Sequence, residues 1–265
     1  MKLTQQHFTL KDFSKPHPLL RRLFQVVKIT LCPGMSYRQF IEYYLNSKPH
    51  CMQITFLRHD TEDVGFFTCT YAFQELLNRR KIICRVAIGI IAKHHKGGMP
   101  FAALCRRIIF YKLRYPLRKV YLIAYLANPF VYAAIAKYTA AYWPNKDKAA
   151  TQFISALKEN LLMAGNLKKN EVSPFVLKIH FHVQMPETLL QRIYTSINPD
   201  VLYYLSINPD FKNQMGVMTI IPVGWGNIMA NIWKAMIIRP LKKYWLWCRK
   251  VMEVQVDLIR RFPLS

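Results

Sequence analysis

The run of residues 82–92 most constrains the fold, because it is almost wholly apolar and a basic, glycine-containing loop follows it directly. An apolar run of this length predicts a strand that is buried on both faces of a sheet. Gly89 in its interior predicts a bulge, or a close approach by another backbone or by a ligand. Residues 99–113 then show the apolar spacing of an amphipathic helix. The sequence therefore predicts a central strand that leads through a basic loop into a helix.

The loop between this strand and helix, residues 94–98, contains two histidines, Lys96, Gly97 and Gly98. The first turn of a helix presents backbone N–H groups without partners and the positive end of the helix dipole. Together with Lys96, these groups predict a binding site for an anion, most simply a phosphate. A Gly-Gly pair before a helix is also common in a plain turn, so the local sequence leaves both interpretations open.

Periodicity and turn residues predict further elements on both sides of the central strand. Ser36 and Asn128 each precede a periodic apolar segment and are expected to be helix N-caps, and Pro129 suits the first helical position. The predicted strands are residues 23–31, 52–57, 64–73, 119–126, 175–183 and 216–223, and the predicted helices are residues 36–46, 128–143 and 148–163. Strands and helices of this kind, mixed along one chain, predict an α+β fold.

The charge of the chain is strongly positive: its 265 residues include 38 Lys and Arg against 14 Asp and Glu, a net charge of +24. Such a surface attracts phosphates, acidic proteins and anionic lipid. A hydrophobic content of 52% excludes a disordered tail. The length fits one large domain, or a compact domain with an appended piece.

Two uncharged stretches, residues 120–136 and 213–233, are about as long as a membrane span. The first is broken by Asn128-Pro129 and the second contains several glycines and asparagines, so both are better explained as buried strand-and-helix segments. The N-terminus has no apolar core of the secretory type. Six single cysteines without a CxxC pair favour neither a zinc site nor a disulfide framework, and predict a reducing, cytoplasmic location.

Roughly from Gly65 to Pro144, the order of central strand, basic loop, helix, strand and Asn-Pro helix resembles the acyl-CoA-binding core of the GNAT superfamily. The resemblance implies a mixed, mostly antiparallel sheet whose central strands splay apart, flanked by helices. It implies as donor an acyl-CoA or the phosphopantetheine of an acyl carrier protein, with no metal. The strand would bind the pantetheine arm, and the loop and helix start would bind the diphosphate, through Ile88, Gly89, Ile90, His95, Lys96, Gly97, Gly98 and Met99. His94 and Met99 depart from the residue types usual at the ends of that loop.

The same resemblance implies candidates for proton transfer. Asn128 opens the Asn-Pro helix and would also line the donor site. The position at which members of the superfamily often carry a tyrosine as general acid corresponds to Ile135 in this chain. Tyr132 and Tyr138 lie one turn to either side, on nearly the same face, and replace it as candidates. Glu75 is the preferred general base, because a carboxylate ending a strand beside the central strand is expected to face the cleft. A solvated carboxylate at a strand end is the simpler alternative.

The stretch YLIAYLANPFVYAAIAKYTAAYWP, followed by a long C-terminal extension, resembles the GNAT variants that make N-acyl amino acids from long-chain thioesters. Residues 1–224 are predicted to form the acyltransferase domain, with a core at 23–144 and C-terminal strands within 174–223. Residues 225–265, in which tryptophans alternate with Lys and Arg, predict a basic amphipathic helix that contacts the inner face of an anionic membrane.

Two other functions are compatible with so basic a chain. A protein that binds RNA or other nucleic acid would share the charge and exposed aromatic residues, although no signature of a known nucleic-acid-binding module is present. A catalytically inactive membrane-associated protein of the same fold would explain the imperfect loop and the shortage of acidic residues. A bound acyl chain or CoA would favour the enzyme, whereas nuclease-sensitive absorbance at 260 nm would favour nucleic acid.

Overall fold

The structure is a computed structural model and describes residues 3–13, 17–45, 48–76, 79–91, 99–165, 173–179 and 185–233. Within these ranges the strands are β1 Thr4–Leu10, β2 Cys51–His59, β3 Glu62–Leu76, β4 Arg79–Ile90, β5 Val120–Leu126, β6 Val176–Lys178 and β7 Met215–Val223. The helices are α1 Pro18–Thr30, α2 Tyr37–Leu45, α3 Met99–Arg114, α4 Pro129–Tyr138, α5 Gln152–Gly165, α6 Glu187–Tyr194, α7 Pro199–Ile207 and α8 Trp225–Trp233.

All seven of these strands form one sheet, in the order β1-β2-β3-β4-β5-β7-β6. Neighbours run antiparallel except β4 and β5, which run parallel. A parallel pair needs a crossover, and α3 supplies it. The predicted α+β architecture, with a mostly antiparallel sheet flanked by helices, is confirmed.

Each face of the sheet is buried by its own set of helices. Phe66 on β3 packs with residues of α1 and α2, such as Leu23 and Phe40, in one apolar cluster. The next residue, Phe67, packs with residues of α3 and α4 in a second, larger cluster. Because successive strand residues point to opposite faces, β3 and β4 are buried from both sides. This burial explains why apolar residues follow one another along both strands.

The predicted strand at residues 23–31 is wrong, because this segment belongs to helix α1. The Nδ1 atom of His17 accepts a hydrogen bond from the backbone N–H of Leu19 at 3.1 Å, and Pro18 occupies the first helical position. Leu20, Leu23, Val26 and Val27 then bury one helical stripe against the sheet. The β-branched residues suggested a strand, but burial of this stripe outweighs their weak local preference. Strand β1 was not predicted.

The helix predicted at residues 128–143 is shorter than expected. Helix α4 ends at Tyr138, and Trp143 beyond it forms an antiparallel bridge with Ile220 of β7, through hydrogen bonds of 2.9 and 2.8 Å. Between them, the backbone N–H groups of Ala140 and Ala141 donate to side-chain oxygens of α8, Asn231 Oδ1 and Asn227 Oδ1. These partners replace the hydrogen bonds that the backbone N–H groups would have made inside a longer helix.

The predicted C-terminal extension is described only over α8, where Ile228 is buried against the larger apolar cluster. Residues 234–265, with most of the predicted basic helix, lie outside the described residues. In the part of the chain that is described, no helix combines the length and the apolar character needed to cross a bilayer.

Candidate active site

The two central strands part from one another in the middle of the sheet. Strand β4 pairs with β5 from Ile82–Val120 as far as Val86–Ala124. Beyond that point β4 continues to Ile90 along β3, and β5 continues to Leu126 along β7. Each strand therefore follows its outer neighbour, and an opening forms between their carboxyl ends. This is the splayed pair that the resemblance to the GNAT superfamily implied.

The backbone of β4 presents polar groups to this opening. The N–H of Ile82 donates to Lys119 O on the β5 side at 3.0 Å, whereas the N–H of Ile91 donates to Val64 O on the β3 side at 2.9 Å. Because the edge to which a residue's N–H and C=O point alternates along a strand, even-numbered residues of β4 face β5. The N–H and C=O groups of Ile88 and Ile90 therefore point into the opening, and those of Gly89 point to β3.

Gly89 is not a bulge. The β3–β4 register is continuous through Phe66–Gly89 and Phe67–Ile88. The close approach that the glycine predicted is made by α1: a Cβ at position 89 would collide with Thr30 Oγ1 and would lie 2.6 Å from a ring carbon of Phe66. Gly89 thus allows the end of α1 to lie flat on the sheet.

The predicted diphosphate loop cannot be located, since His95, Lys96, Gly97 and Gly98 lie outside the described residues. The helix that follows begins at Met99, as predicted. Its start comes nine residues after Ile90, the last residue of β4.

Glu75 lies at the opposite end of the sheet from the opening. It pairs with Arg80, whereas Gly89 pairs with Phe66, nine residues earlier on β3. At about 3.3 Å per residue, Glu75 is roughly 30 Å along the strand from that point. Its side chain is exposed. The structure does not bring Glu75 to the site, because the hairpin at the end of β3 carries it away from the carboxyl end of β4.

Tyr132 also has a different role from the one predicted. Its hydroxyl is buried and donates a hydrogen bond to Pro144 O at 2.8 Å. Its ring packs against Tyr203 and Tyr204 of α7, with ring centroids 6.1 and 5.6 Å away. Burial raises the pKa of this hydroxyl. Tyr132 therefore joins α4 to α7 and to the segment after α4. Its hydroxyl proton is already used in the hydrogen bond to Pro144 O.

The other two predicted residues of α4 lie at its ends. Asn128 is the N-cap, with Oδ1 accepting from the backbone N–H of Phe130 at 2.9 Å, as the sequence predicted. Tyr138 is the last helical residue, half-buried, with the Lys137 ammonium 5.6 Å from its ring centroid. Asn128 follows β5 by two residues and therefore lies close to the carboxyl end that borders the opening.

Other titratable side chains near the sheet are unavailable as bases or nucleophiles. Asp63 accepts hydrogen bonds from Arg22 Nε at 2.6 Å and Nη2 at 2.8 Å, which occupies the carboxylate in an ion pair. Burial raises the pKa of the Cys84 thiol, and raises that of Cys105 to about 11. Both thiols are therefore protonated at neutral pH and are poor nucleophiles.

One group of polar residues was not predicted from the sequence. It lies beside the last residue pair that joins β4 to β5. Arg85 of β4 shares a small pocket with Tyr43 and Tyr44 of α2 and with Thr68 and Thr70 of β3. The signal was present, because Arg85 is the only charged residue in the apolar run of residues 82–92.

No protein-family model matches the chain, and no curated protein matches its sequence. A structural likeness is found to an Enterococcus faecalis protein described as a probable N-acyltransferase, with 12% identity and a TM-score of 0.36, over 52% of this chain and 32% of that one. The NAA60 protein of Arabidopsis thaliana, in complex with acetyl-CoA, aligns with 17% identity and a TM-score of 0.29, over 45% of this chain and 74% of that one. A chain of the NatC complex bound to Gag peptide and CoA aligns with 9% identity and a TM-score of 0.35, over 84% of this chain and 99% of that one.

The topology of this chain can be stated independently of those alignments. Two helices separate β1 from β2, strands β2 to β4 form an antiparallel meander, and α3 crosses over to a parallel β5 that splays from β4. Strand β7 then inserts between β5 and β6. This strand order and this opening agree with the mixed, mostly antiparallel sheet and splayed central strands that the resemblance to the GNAT superfamily implies.

Proposed function

We propose that the protein is an N-acyltransferase, which transfers an acyl group from a thioester donor to the amine of a small acceptor such as an amino acid. The observation that carries the proposal is the opening between β4 and β5 beyond Val86–Ala124. An extended pantetheine arm fits such an opening because it carries amide groups, and the backbone groups of Ile88 and Ile90 point to that place. The donor is an acyl-CoA or an acyl carrier protein.

The phosphates of the donor would lie where β4 leads into α3. In this proposal His95, Lys96, Gly97, Gly98 and the N-terminal amides of the helix beginning at Met99 bind the diphosphate, while Gly89 keeps the strand flat beneath α1. A net charge of +24 favours encounter with CoA, with the acidic surface of a carrier protein, or with an anionic membrane that holds a lipid-like substrate.

The reaction itself needs few groups from the protein. The amine nitrogen attacks the thioester carbonyl carbon, the C–N bond forms, and the C–S bond breaks. The attacking amine loses a proton and the departing thiolate takes one up, so the reaction is balanced without a further reactant. Orientation of the two substrates in the opening supplies the main acceleration. Tyr138 is the remaining candidate on α4 for the acid, and Asn128 orders the start of that helix.

The proposal is tested by incubating the full chain with acyl-CoAs of increasing length and amine acceptors, and by following thiol release. Replacing Gly97 and Gly98 together by leucine should abolish donor binding, because bulky side chains would block the approach of phosphate to the backbone. Circular dichroism should show an unchanged fold. Retention of donor binding by this variant would refute the assignment of the loop. Absence of thiol release with every donor and acceptor would refute the proposed function.

A further inference from the structure

The turn between α3 and β5, residues 115–119, carries an apolar tip into the solvent. Leu117 is 96% exposed, and Phe110 and Leu113 of α3 are 59% and 52% exposed. Residues three apart share a helix face, so Phe110 and Leu113 are neighbours on the outer face of α3, and Leu117 follows them beyond the helix end. Single exposed apolar side chains are common on protein surfaces, whereas a group of large ones indicates contact with another molecule.

The shape of this turn is fixed from the inside. The ammonium of Lys112, a residue only 4% exposed, donates hydrogen bonds to Pro116 O at 2.8 Å and to Arg118 O at 2.6 Å. The carbonyls on either side of Leu117 are therefore held by one buried cation. Arg118 also places its guanidinium 4.8 Å from the ring centroid of Tyr115. The exposure of Leu117 is thus a property of an ordered turn.

Helix α8 extends the apolar surface beside the turn. The ring of Trp225 lies 6.0 Å from Lys112 Nζ, which places the start of α8 next to the turn. Trp225 and Met229 are 41% and 58% exposed and lie four residues apart, on one face of α8. An exposed tryptophan beside long apolar side chains is typical of surfaces at the boundary between water and lipid.

The segments that carry these side chains have positive charges only. Residues 99–119 and 211–233 contain no Asp or Glu. Glu75 lies at the same end of the sheet, but on β3, two strands away from β5 and opposite Arg80 in the register. Among the described residues, no carboxylate forms an ion pair with the exposed basic residues of α3 and the turn, which are Arg106, Arg114, Arg118 and Lys119. A partner with a negatively charged surface therefore complements this part of the molecule.

An anionic lipid surface fits this combination better than other partners do. A second copy of the chain would bring the same positive charges together. Single-stranded nucleic acid stacks its bases on aromatic faces, but Arg118 already covers a face of Tyr115. Arg80 covers Phe73 in the same way, 3.8 Å from its ring centroid. Leucine and methionine side chains add little to binding of nucleic acid, whereas the acyl region of a bilayer buries them.

We infer that the turn and the outer faces of α3 and α8 dock on an anionic lipid surface. Leu117 and Trp225 enter the boundary between headgroups and acyl chains, and the arginines of α3 and of the turn meet the lipid phosphates. This surface is separate from the basic extension at residues 234–265. The inference does not depend on the proposed acyl transfer.

Docking through the turn fixes the direction of the opening. The turn leads into Val120 at the start of β5, and β4 and β5 part after Ala124, four residues further along. At about 3.3 Å per residue, the point of parting lies roughly 13 Å from the start of β5, toward the other end of the strand. The opening therefore points away from the lipid, and water-soluble substrates reach it while the protein is docked.

The test is sedimentation of the full chain with vesicles of phosphatidylcholine alone, or of phosphatidylcholine mixed equally with phosphatidylserine. We expect binding to the mixed vesicles only, weakened by added salt. Leu117→Asp should lower the affinity at least tenfold, and replacing Arg114 and Arg118 together by Gln should do the same. Ile197→Asp is the matched control, because Ile197 is 93% exposed between α6 and α7, and it should leave the affinity within twofold. Leu117→Trp should add fluorescence that lipids with brominated acyl chains quench.

Equal binding to both kinds of vesicle, no binding to either, full binding of Leu117→Asp, or no added quenching with Leu117→Trp would overturn the inference. Binding of single-stranded RNA through Arg114 and Arg118, without binding of vesicles, would overturn it by identifying nucleic acid as the partner. Unchanged midpoints of thermal unfolding show that each variant is folded. Loss of vesicle binding with thiol release from acyl-CoA intact refutes the docking surface alone. Intact vesicle binding without thiol release refutes the acyl transfer alone.

Discussion

At the scale of single residues, the structure separates tyrosines whose hydroxyls are hydrogen-bonded to the backbone from tyrosines whose buried hydroxyls make no such bond. Tyr132 has its hydroxyl on Pro144 O and its ring against α7. Tyr44 and Tyr125 have buried hydroxyls without partners. The sequence could not distinguish these cases, because a tyrosine in an apolar segment looks the same whether or not its hydroxyl meets a backbone carbonyl.

Tyr132→Phe is expected to lower the stability of the protein and to leave catalysis intact. The change removes one hydrogen bond and leaves Pro144 O buried without that donor, which costs about 1–2 kcal/mol. Urea unfolding followed by circular dichroism measures the loss. Thiol release should proceed with unchanged kcat. A fall in kcat of a hundredfold with unchanged stability would instead restore Tyr132 as the general acid.

Gly89→Ala is expected to destabilise the protein by about 1–3 kcal/mol, because the new methyl group would meet Thr30, Phe66 and Leu31 in a packed region. Gly34→Ala is the matched control. A Cβ at position 34 meets nothing within 4 Å, and the change should stay within about 0.5 kcal/mol. The midpoints of thermal and urea unfolding provide the comparison. Equal effects of the two substitutions would show that α1 does not pack on Gly89 as described.

At the scale of elements, local sequence signals located the helix starts well. Ser36 Oγ accepts from the N–H of Gln39 at 3.2 Å, and Gln39 Oε1 accepts from the N–H of Ser36 at 2.9 Å, so the predicted cap at Ser36 is a reciprocal pair. Asn128 caps α4 in a similar way. These interactions involve residues two or three apart, and such residues can be recognised from sequence alone.

Asn128→Ala should cost about 1 kcal/mol of stability, because the N–H of Phe130 loses its acceptor at the start of α4. Asn128→Asp should retain most of that stability, since a carboxylate caps a helix as well as an amide does. Unfolding in urea distinguishes the two variants. The KM for donor gives a second readout: a large increase in both variants, without loss of stability, would mean that Asn128 acts mainly on the donor.

What could not be predicted depends on partners far away in sequence. Helix α1 was mistaken for a strand because its apolar stripe is defined only by packing on Gly89 and Phe66, more than thirty residues later. Helix α4 ends early because Trp143 pairs with Ile220 of β7. The distance of Glu75 from the opening depends on the β3–β4 register, which the sequence does not show. The neighbours of Arg85 come from α2 and β3, which are distant in sequence.

At the scale of the whole molecule, the dominant property is positive charge. This charge also helps to lower the pKa of His50, which lies at the end of the sheet opposite the opening. His50 stacks on Phe73, with ring centroids 4.1 Å apart, and its Nε2 lies 3.2 Å from Tyr111 Oη. Burial lowers the pKa of His50, and the nearby charges of Arg118 and Arg80 lower it further. His50 is therefore harder to protonate in the folded protein than in the unfolded chain.

Stability is consequently expected to fall as the pH is lowered. The unfolded chain binds more protons than the folded protein between the lowered pKa of His50 and the ordinary value of 6.5, so the free energy of unfolding falls as the pH falls through this window. His50→Gln should flatten the dependence measured by urea unfolding between pH 8 and 5.5. His7, whose pKa burial also lowers, accounts for a further part of the slope. Identical slopes for wild type and His50→Gln would contradict this account.

The splayed sheet has a mechanical consequence. Strands β1 to β4 form one antiparallel unit and β5, β7 and β6 form another, and within the described sheet the two are joined along a seam of five residue pairs, from Ile82–Val120 to Val86–Ala124. Any further separation of β4 from β5 would first break the last hydrogen bonds of that seam and would leave the antiparallel pairs on both sides intact. The sheet is therefore expected to yield along this parallel contact before it yields anywhere else.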